Sequence, residues 1–309
     1  MSQTVMVPEQ IEVPQKRTQS IAHKVIVWIL YLASFGALAW FFYDGYSFYT
    51  TPLAERVHHP DYRSLRSASN QGLIFGYVGA GMMILMLIYS IGKRTAFFGR
   101  TIHISRLLDI HIFLGIVGPL FIVLHTAFKI QGLVAVAFWS MAAVAVSGFF
   151  GRYVYRQIPR NIRGMELSLK EIQDMQNSLS QELRVRFHLD EASVSKLNSI
   201  SEHFVTREAG GLLRTVLNII KEDLFAPWTK HRFRDEVKHS LVLAPKELHD
   251  LVDLSFSRIR LDRRRRFMTQ MQSLLHMWHV VHKPFAIIMY LIMFVHIGVA
   301  FWTGYGWIH

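Results

Sequence analysis

One stretch limits the folds open to this chain more than any other. Leu108 to Lys129, LDIHIFLGIVGPLFIVLHTAFK, is apolar over a length that suits a membrane-crossing helix, yet it carries His111 and His125. The two stand fourteen positions apart. At about 100° and 1.5 Å per helical residue, that spacing returns the second side chain to within roughly 40° of the first and about 21 Å along the axis. Both imidazoles then face the same neighbour, one near each edge of a hydrocarbon core about 30 Å thick.

A second apolar segment, His282 to Trp302, repeats the pattern with His282 and His296, again fourteen apart. A lone histidine on an apolar helix is most often a hydrogen-bonded packing residue. Two matched pairs point elsewhere, because an imidazole in lipid is costly without a partner and one facing a bundle interior is a functional candidate. The partner that suits two stacked pairs is two haem irons, each held between one histidine from either helix. The face that joins His111 to His125 reads Gly115, Gly118, Ile122, and the matching face before His296 reads Ala286, Met289, Met293. Gly115 and Gly118 are expected to let a flat macrocycle approach the backbone, although small residues also serve ordinary helix packing.

Composition narrows the class. Hydrophobic residues make up 51% and charged residues 18% of 309 positions, richer in apolar groups than a soluble domain. The chain has no cysteine, which excludes disulfides, thiolate-bound clusters and thioether-linked haem, so the haems are expected to be two non-covalent haem b groups. The formal charge of +12 is read first as membrane orientation, not as a nucleic-acid footprint.

In chain order, residues 1–20 read as a polar tail without a cleaved signal. Ile21 to Phe42 reads as the first span, with Tyr43, Tyr46 and Tyr49 as an interfacial exit and His23 as an interfacial residue. Residues 51–71, with His58 and His59, read as a solvated polar loop that binds no metal. Gly72 to Ile91 reads as the second span, with Gly76, Gly79 and Gly81 allowing close helix contact. A basic turn to Arg106, containing Arg100 and His103, leads into the third span; the tight IQG turn leads into the fourth, Leu133 to Phe150. Lysines and arginines gather near the N-terminus, the 93–106 turn, the end of span four and the Arg263 to Arg266 run, against Arg56, Arg63, Arg66 and Lys129 on the other side. The positive-inside rule therefore places the N-terminus and the segment 158–281 in the cytoplasm.

That segment has helical apolar spacing in MELSLKEIQDMQNSLSQEL and GGLLRTVLNIIKEDL, while LRVRFHLD and KHSLVLA alternate as short strands do. From Pro245, the row Leu248, Leu251, Val252, Ser255, Ile259 continues through Met271, Leu274 and Trp278, predicting one long amphipathic helix that feeds span five. Near its membrane end, His276, His279 and His282 cluster ahead of Pro284. His282 is preferred as ligand for its spacing from His296, with His279 as the rival. The expected fold is an all-α membrane protein: a tail (1–20), spans one to four (21–157), a mostly helical cytoplasmic insertion (158–281) and span five (282–309), forming a five-span helix bundle. Spans three and five then run in the same direction, pairing His111 with His282 and His125 with His296.

Four histidines so placed on spans three and five resemble those of the di-haem transmembrane cytochrome b class, which includes the cytochrome b of quinol-oxidising complexes and the membrane domains of ferric reductases and NADPH oxidases. The resemblance covers the four histidines and roughly the membrane residues around them, and it leaves the 158–281 insertion without a counterpart. It implies an electron-transfer subunit of a larger oxidoreductase, sitting in a bacterial inner membrane among lipid and partner subunits. No GxGxxG fingerprint is present, so the donor or acceptor is expected to be another subunit or a diffusible quinone. Arg100, Arg106 and Lys283 are candidates to pair with propionates of the inner haem, and Lys129 with those of the outer one. The alternatives are a quinone-reactive cytochrome b, with Asp109 or His279 handling protons, and a histidine-lined metal or proton transporter.

Overall fold

The computed structural model describes residues 21–92, 104–159, 166–204, 211–241 and 243–307. The N-terminal tail, Arg100 and His103 lie outside them, as does the side chain of Arg106. Helices account for the described secondary structure: α1 Ile21–Asp44, α2 Tyr46–Thr50, α3 Tyr62–Leu65, α4 Asn70–Gly92, α5 Ile104–His125, α6 Gly132–Gln157, α7 Leu169–Arg186, α8 Glu191–His203, α9 Leu212–Ser240, α10 Pro245–Arg266 and α11 Met268–Trp302. Five segments, within or overlapping α1, α4, α5, α6 and α11, are long and apolar enough to cross a bilayer. The chain divides into two compact units, Thr18–Tyr153 with Leu275–His309, and Val154–Leu274.

In the first unit the spanning-length helices leave large apolar side chains such as Trp28, Leu32, Val146 and Leu291 exposed, a surface suited to lipid. The closest seam joins α4 to α5. Glycine makes it possible: a Cβ on Gly79 would lie 2.8 Å from the Ile122 side chain and 3.0 Å from the Gly118 carbonyl oxygen. Helix α1 joins through the edge-to-face pair Tyr31 and Phe113, with ring centres 5.1 Å apart. Helix α11 is held by directional contacts. The Trp278 indole N–H donates to the Ser147 carbonyl on α6 (2.9 Å), the Tyr290 hydroxyl to the Met83 carbonyl on α4 (2.7 Å), and the Tyr77 hydroxyl to the Gly306 carbonyl.

The 51–71 segment is largely exposed, His58 included, but Arg56, Leu65 and Ser69 within it are buried, and Tyr49, expected at the interface, is buried too. Phe48, Tyr49 and Leu65 are buried in the same core as Phe75, Val117 and Phe121. His59 lies edge-on to Phe48, ring centres 5.6 Å apart, and its Nδ1 accepts the Asp61 N–H at 3.1 Å. The organising side chain is Arg56. Its guanidinium is buried, stacks 5.1 Å from the Phe48 ring centre, and donates to the carbonyls of Tyr49 (2.9 Å), Thr51 (2.8 Å) and Ala127. The last of these carbonyls belongs to the turn that ends α5, where Ala127 and Phe128 adopt left-handed φ values of 46° and 60°.

In the second unit, α7 opens on a capping box: the Ser168 hydroxyl accepts the Glu171 N–H (3.2 Å) while the Glu171 carboxylate accepts the Ser168 N–H (2.7 Å). Helix α8 is capped by Asp190, which accepts the Ser193 N–H at 3.0 Å. Leu183, Leu197, Ile200, Phe233, Val237, Leu251, Val252 and Phe256 form the core. The two expected strands are not formed among the described residues. Leu183 to Arg186 is the last turn of α7, with Leu183 buried in step with Ile172 and Gln176 and Val185 turned out, so helical periodicity wins over the local alternation. Lys238 to Ser240 likewise completes α9. The single long helix expected from Pro245 is broken at Phe267, whose φ of −99° and ψ of 11° separate α10 from α11.

The Arg263 to Arg266 run is built into this unit. Arg263 is buried and donates to Asp223 (2.6 Å) and Glu222 (3.3 Å), Arg265 to Gln176 (3.0 Å) and Arg266 to Asp262 (2.8 Å).

Candidate functional site

The site is assembled where the C-terminal end of α5, the N-terminal half of α4 and the C-terminal half of α11 meet. His125 occupies the last turn of α5, and its Nδ1 lies 2.8 Å from the Gly72 carbonyl on α4. A carbonyl only accepts, so Nδ1 carries the proton and the Nε2 lone pair is left for a metal. Gly76 makes room for the ring: a Cβ there would lie 2.8 Å from His125 Nδ1. His296 reaches the same place from α11, with ring centres 6.4 Å apart and planes inclined by 62°. Two imidazoles that coordinate one metal ion from opposite sides, each through a bond of about 2.0 Å, have ring centres roughly 6 Å apart. The observed pair matches that separation.

Both rings line a cavity of about 310 Å³ whose wall is otherwise almost wholly apolar, including Leu73, Ile122, Phe138 and Phe301. His125 is half-buried and His296 exposed at its edge. Met83, Met141 and Met289 form a buried methionine layer joined by Met293, and all four also line this cavity. Met289 lies seven residues from each of His282 and His296, so this layer fills the region between the two histidine levels of α11.

At the other level, His282 packs under Trp278 with ring centres 4.5 Å apart. Its Nδ1 lies 2.8 Å from the Ser147 hydroxyl of α6, and that hydroxyl donates to the Val144 carbonyl at 3.0 Å. With the hydroxyl proton on the Val144 carbonyl, Ser147 accepts from the Nδ1–H tautomer of His282, the tautomer that leaves the Nε2 lone pair free. Gly151 accommodates Trp278, since a Cβ there would run into the indole. His111 is half-buried on α5. His279 ties its Nδ1 to the Leu275 carbonyl at 2.8 Å, so tautomer alone does not separate it from His282.

The contacts also fix relative directions. Gly76 meets His125 and Gly115 meets Met86, so α4 and α5 are antiparallel; Ser147 and Gly151 meet His282 and Trp278, so the N-terminal part of α11 lies by the C-terminal part of α6. Helices α5 and α11 run the same way. The remaining candidates fall differently. Gly115 and Gly118 do not open onto the cavity: their Cβ positions face Met86 at 3.3 Å and Met82 at 3.2 Å, so they serve the α4 seam. Lys129 and Lys283 are exposed. Asp109 accepts from Arg152 at 3.1 Å and lies 3.4 Å from His23.

Spacing reveals the four histidines but not Ser147, Gly76 or Arg56, because each acts through a contact distant in sequence. Among the described residues, no three histidine or carboxylate side chains gather where they could hold an ion unaided. Comparison with family models, with curated proteins and with solved structures gives no match for this chain.

Proposed function

We propose that this chain is a membrane di-haem b-type cytochrome subunit that carries electrons across the bilayer for a larger oxidoreductase. The observation that carries the reading is His125 and His296 standing 6.4 Å apart on two helices, beside an apolar cavity, with the His125 proton held on Nδ1. His111 and His282 are assigned the second group on the fourteen-residue spacing, the common direction of α5 and α11, and the Ser147 bond that frees His282 Nε2. His125 with His296, and His111 with His282, would hold the two haems, each of which would supply a one-electron redox centre suited to outer-sphere transfer rather than oxygen binding.

The protein's own part is to orient and to seal. Gly72 and Ser147 set the tautomer and rotation of two ligands, Gly76 and Gly151 admit their rings or supports, and the methionine layer excludes water between the levels. In this reading the N-terminus and Val154–Leu274 face the cytoplasm, as the distribution of lysine and arginine favours. The quinone or protein that exchanges electrons with either end stays part of the proposal. Purified protein, after reconstitution, is expected to release two b-type haems per chain in a pyridine haemochrome assay. A folded sample without visible absorption would contradict it and leave a histidine-lined transporter as the better reading.

A further inference from the structure

Helix α9 carries its apolar residues on two opposite faces, and only one of them is used inside the protein. Val216, Ile219, Phe233 and Val237 are buried in the Val154–Leu274 unit. Leu217, Ile220, Leu224 and Trp228 follow the i, i+3, i+7, i+11 rule on the other face and are 56%, 41%, 73% and 61% exposed, with Phe225 beside them at 49%. A row of this size on an otherwise charged helix marks a surface that something covers.

Charge identifies the cover. Between Leu212 and Arg234 the only acidic residues are Glu222 and Asp223, and both are turned inward onto Arg263. One outward flank carries exposed Arg214, Lys221 and Arg232, and the Arg232 guanidinium lies 5.0 Å from the centre of the Trp228 ring. An apolar row that ends in tryptophan, with basic residues along one flank, is the pattern of a helix lying in the plane of a lipid interface. An anionic headgroup layer would complement that flank. In sequence the unit is continuous at both ends with helices long and apolar enough to cross a bilayer, α6 and α11.

We propose that α9 is an interfacial membrane helix, docked on anionic lipid through Leu217, Ile220, Leu224, Phe225 and Trp228. The inference rests on the chain being a multi-pass membrane protein and is independent of haem.

The absence of cysteine makes the test direct. Leu217→Cys, Leu224→Cys and Trp228→Cys, with Arg234→Cys as the water-facing reference, are nitroxide-labelled in the full chain within nanodiscs of phosphatidylglycerol and phosphatidylcholine. Power saturation then compares oxygen with a water-soluble nickel chelate. The first three labels are expected to favour oxygen several-fold over the chelate, and Arg234 to show the reverse. Three results would overturn the proposal: chelate access at all four positions, which leaves the row in water; protection from both reagents, which assigns it to a protein surface or a second copy; or unchanged profiles when phosphatidylglycerol is omitted, which removes the anionic lipid. Leu217, Leu224 and Trp228 belong to none of the buried clusters among the described residues, and retained thermal unfolding of each variant shows that the fold is intact.

Discussion

A histidine becomes a defined ligand only when its other nitrogen is held. His125 gives its Nδ1 proton to the Gly72 carbonyl, and His282 Nδ1 stands at the same 2.8 Å from the Ser147 hydroxyl, two contacts that aim Nε2 away from the supporting helix. Removing such a partner commonly lowers metal retention by about 10- to 100-fold, so Ser147→Ala is expected to lose the His282-side haem preferentially on dilution or mild denaturation. Spectra taken during release would show one component falling before the other. Tyr49 offers a separate prediction at this scale. Burial pushes its phenol from 10.0 up to about 12, against a smaller opposing pull from Arg56, and its hydroxyl has no hydrogen-bond partner among the described residues. The unfolded phenol ionises first, so the folded state gives up stability as pH rises from 10 through about 12. Tyr49→Phe is expected to be neutral or slightly stabilising at pH 7, within about 1 kcal/mol, and to flatten that alkaline loss in thermal unfolding. Marked destabilisation at pH 7 would show that the hydroxyl has a partner.

At the scale of elements, the helices were legible wherever one periodicity ran unopposed. The spans declared themselves by length, and Ser168 with Glu171 announced the start of α7. Two features were not legible, for physical reasons. Arg184, Val185 and Arg186 alternate as a strand would, but the core is served by Ile172, Gln176 and Leu183 at helical spacing, which settles the segment as the end of α7. The break at Phe267 carries no glycine or proline, and the apolar row runs straight through it from Ile259 to Met271. The glycines show the same limit. Gly115 and Gly118 share a face with the histidines in projection, yet it is α4 that fills the space beside them. The seam predicts a contrast: Gly79→Ala, whose Cβ would meet Ile122 at 2.8 Å, should cost about 1–3 kcal/mol, while Gly81→Ala, with open space around it, should cost little. Denaturant titration in one detergent compares them, and equal effects would mean that α4 and α5 pack less closely than described.

Across the whole molecule, one spacing of fourteen residues, used twice, organises the proposed function. Its legibility came from the membrane, which makes every buried polar side chain conspicuous; soluble parts hide their functional groups among many others. What the spacing could not supply was the supporting shell, because Gly72, Gly76 and Ser147 meet the histidines only after α4 and α6 have packed. The central claim is that His125 and His296 share one haem and His111 and His282 the other. It is tested most directly by low-temperature absorption spectra and haem content of the four single His→Ala variants, with His279→Ala beside them. The prediction is that His125→Ala and His296→Ala lose the same spectral component, that His111→Ala and His282→Ala lose the other, and that His279→Ala keeps both; matching losses for His125→Ala and His282→Ala, or full haem content in His296→Ala, would contradict it.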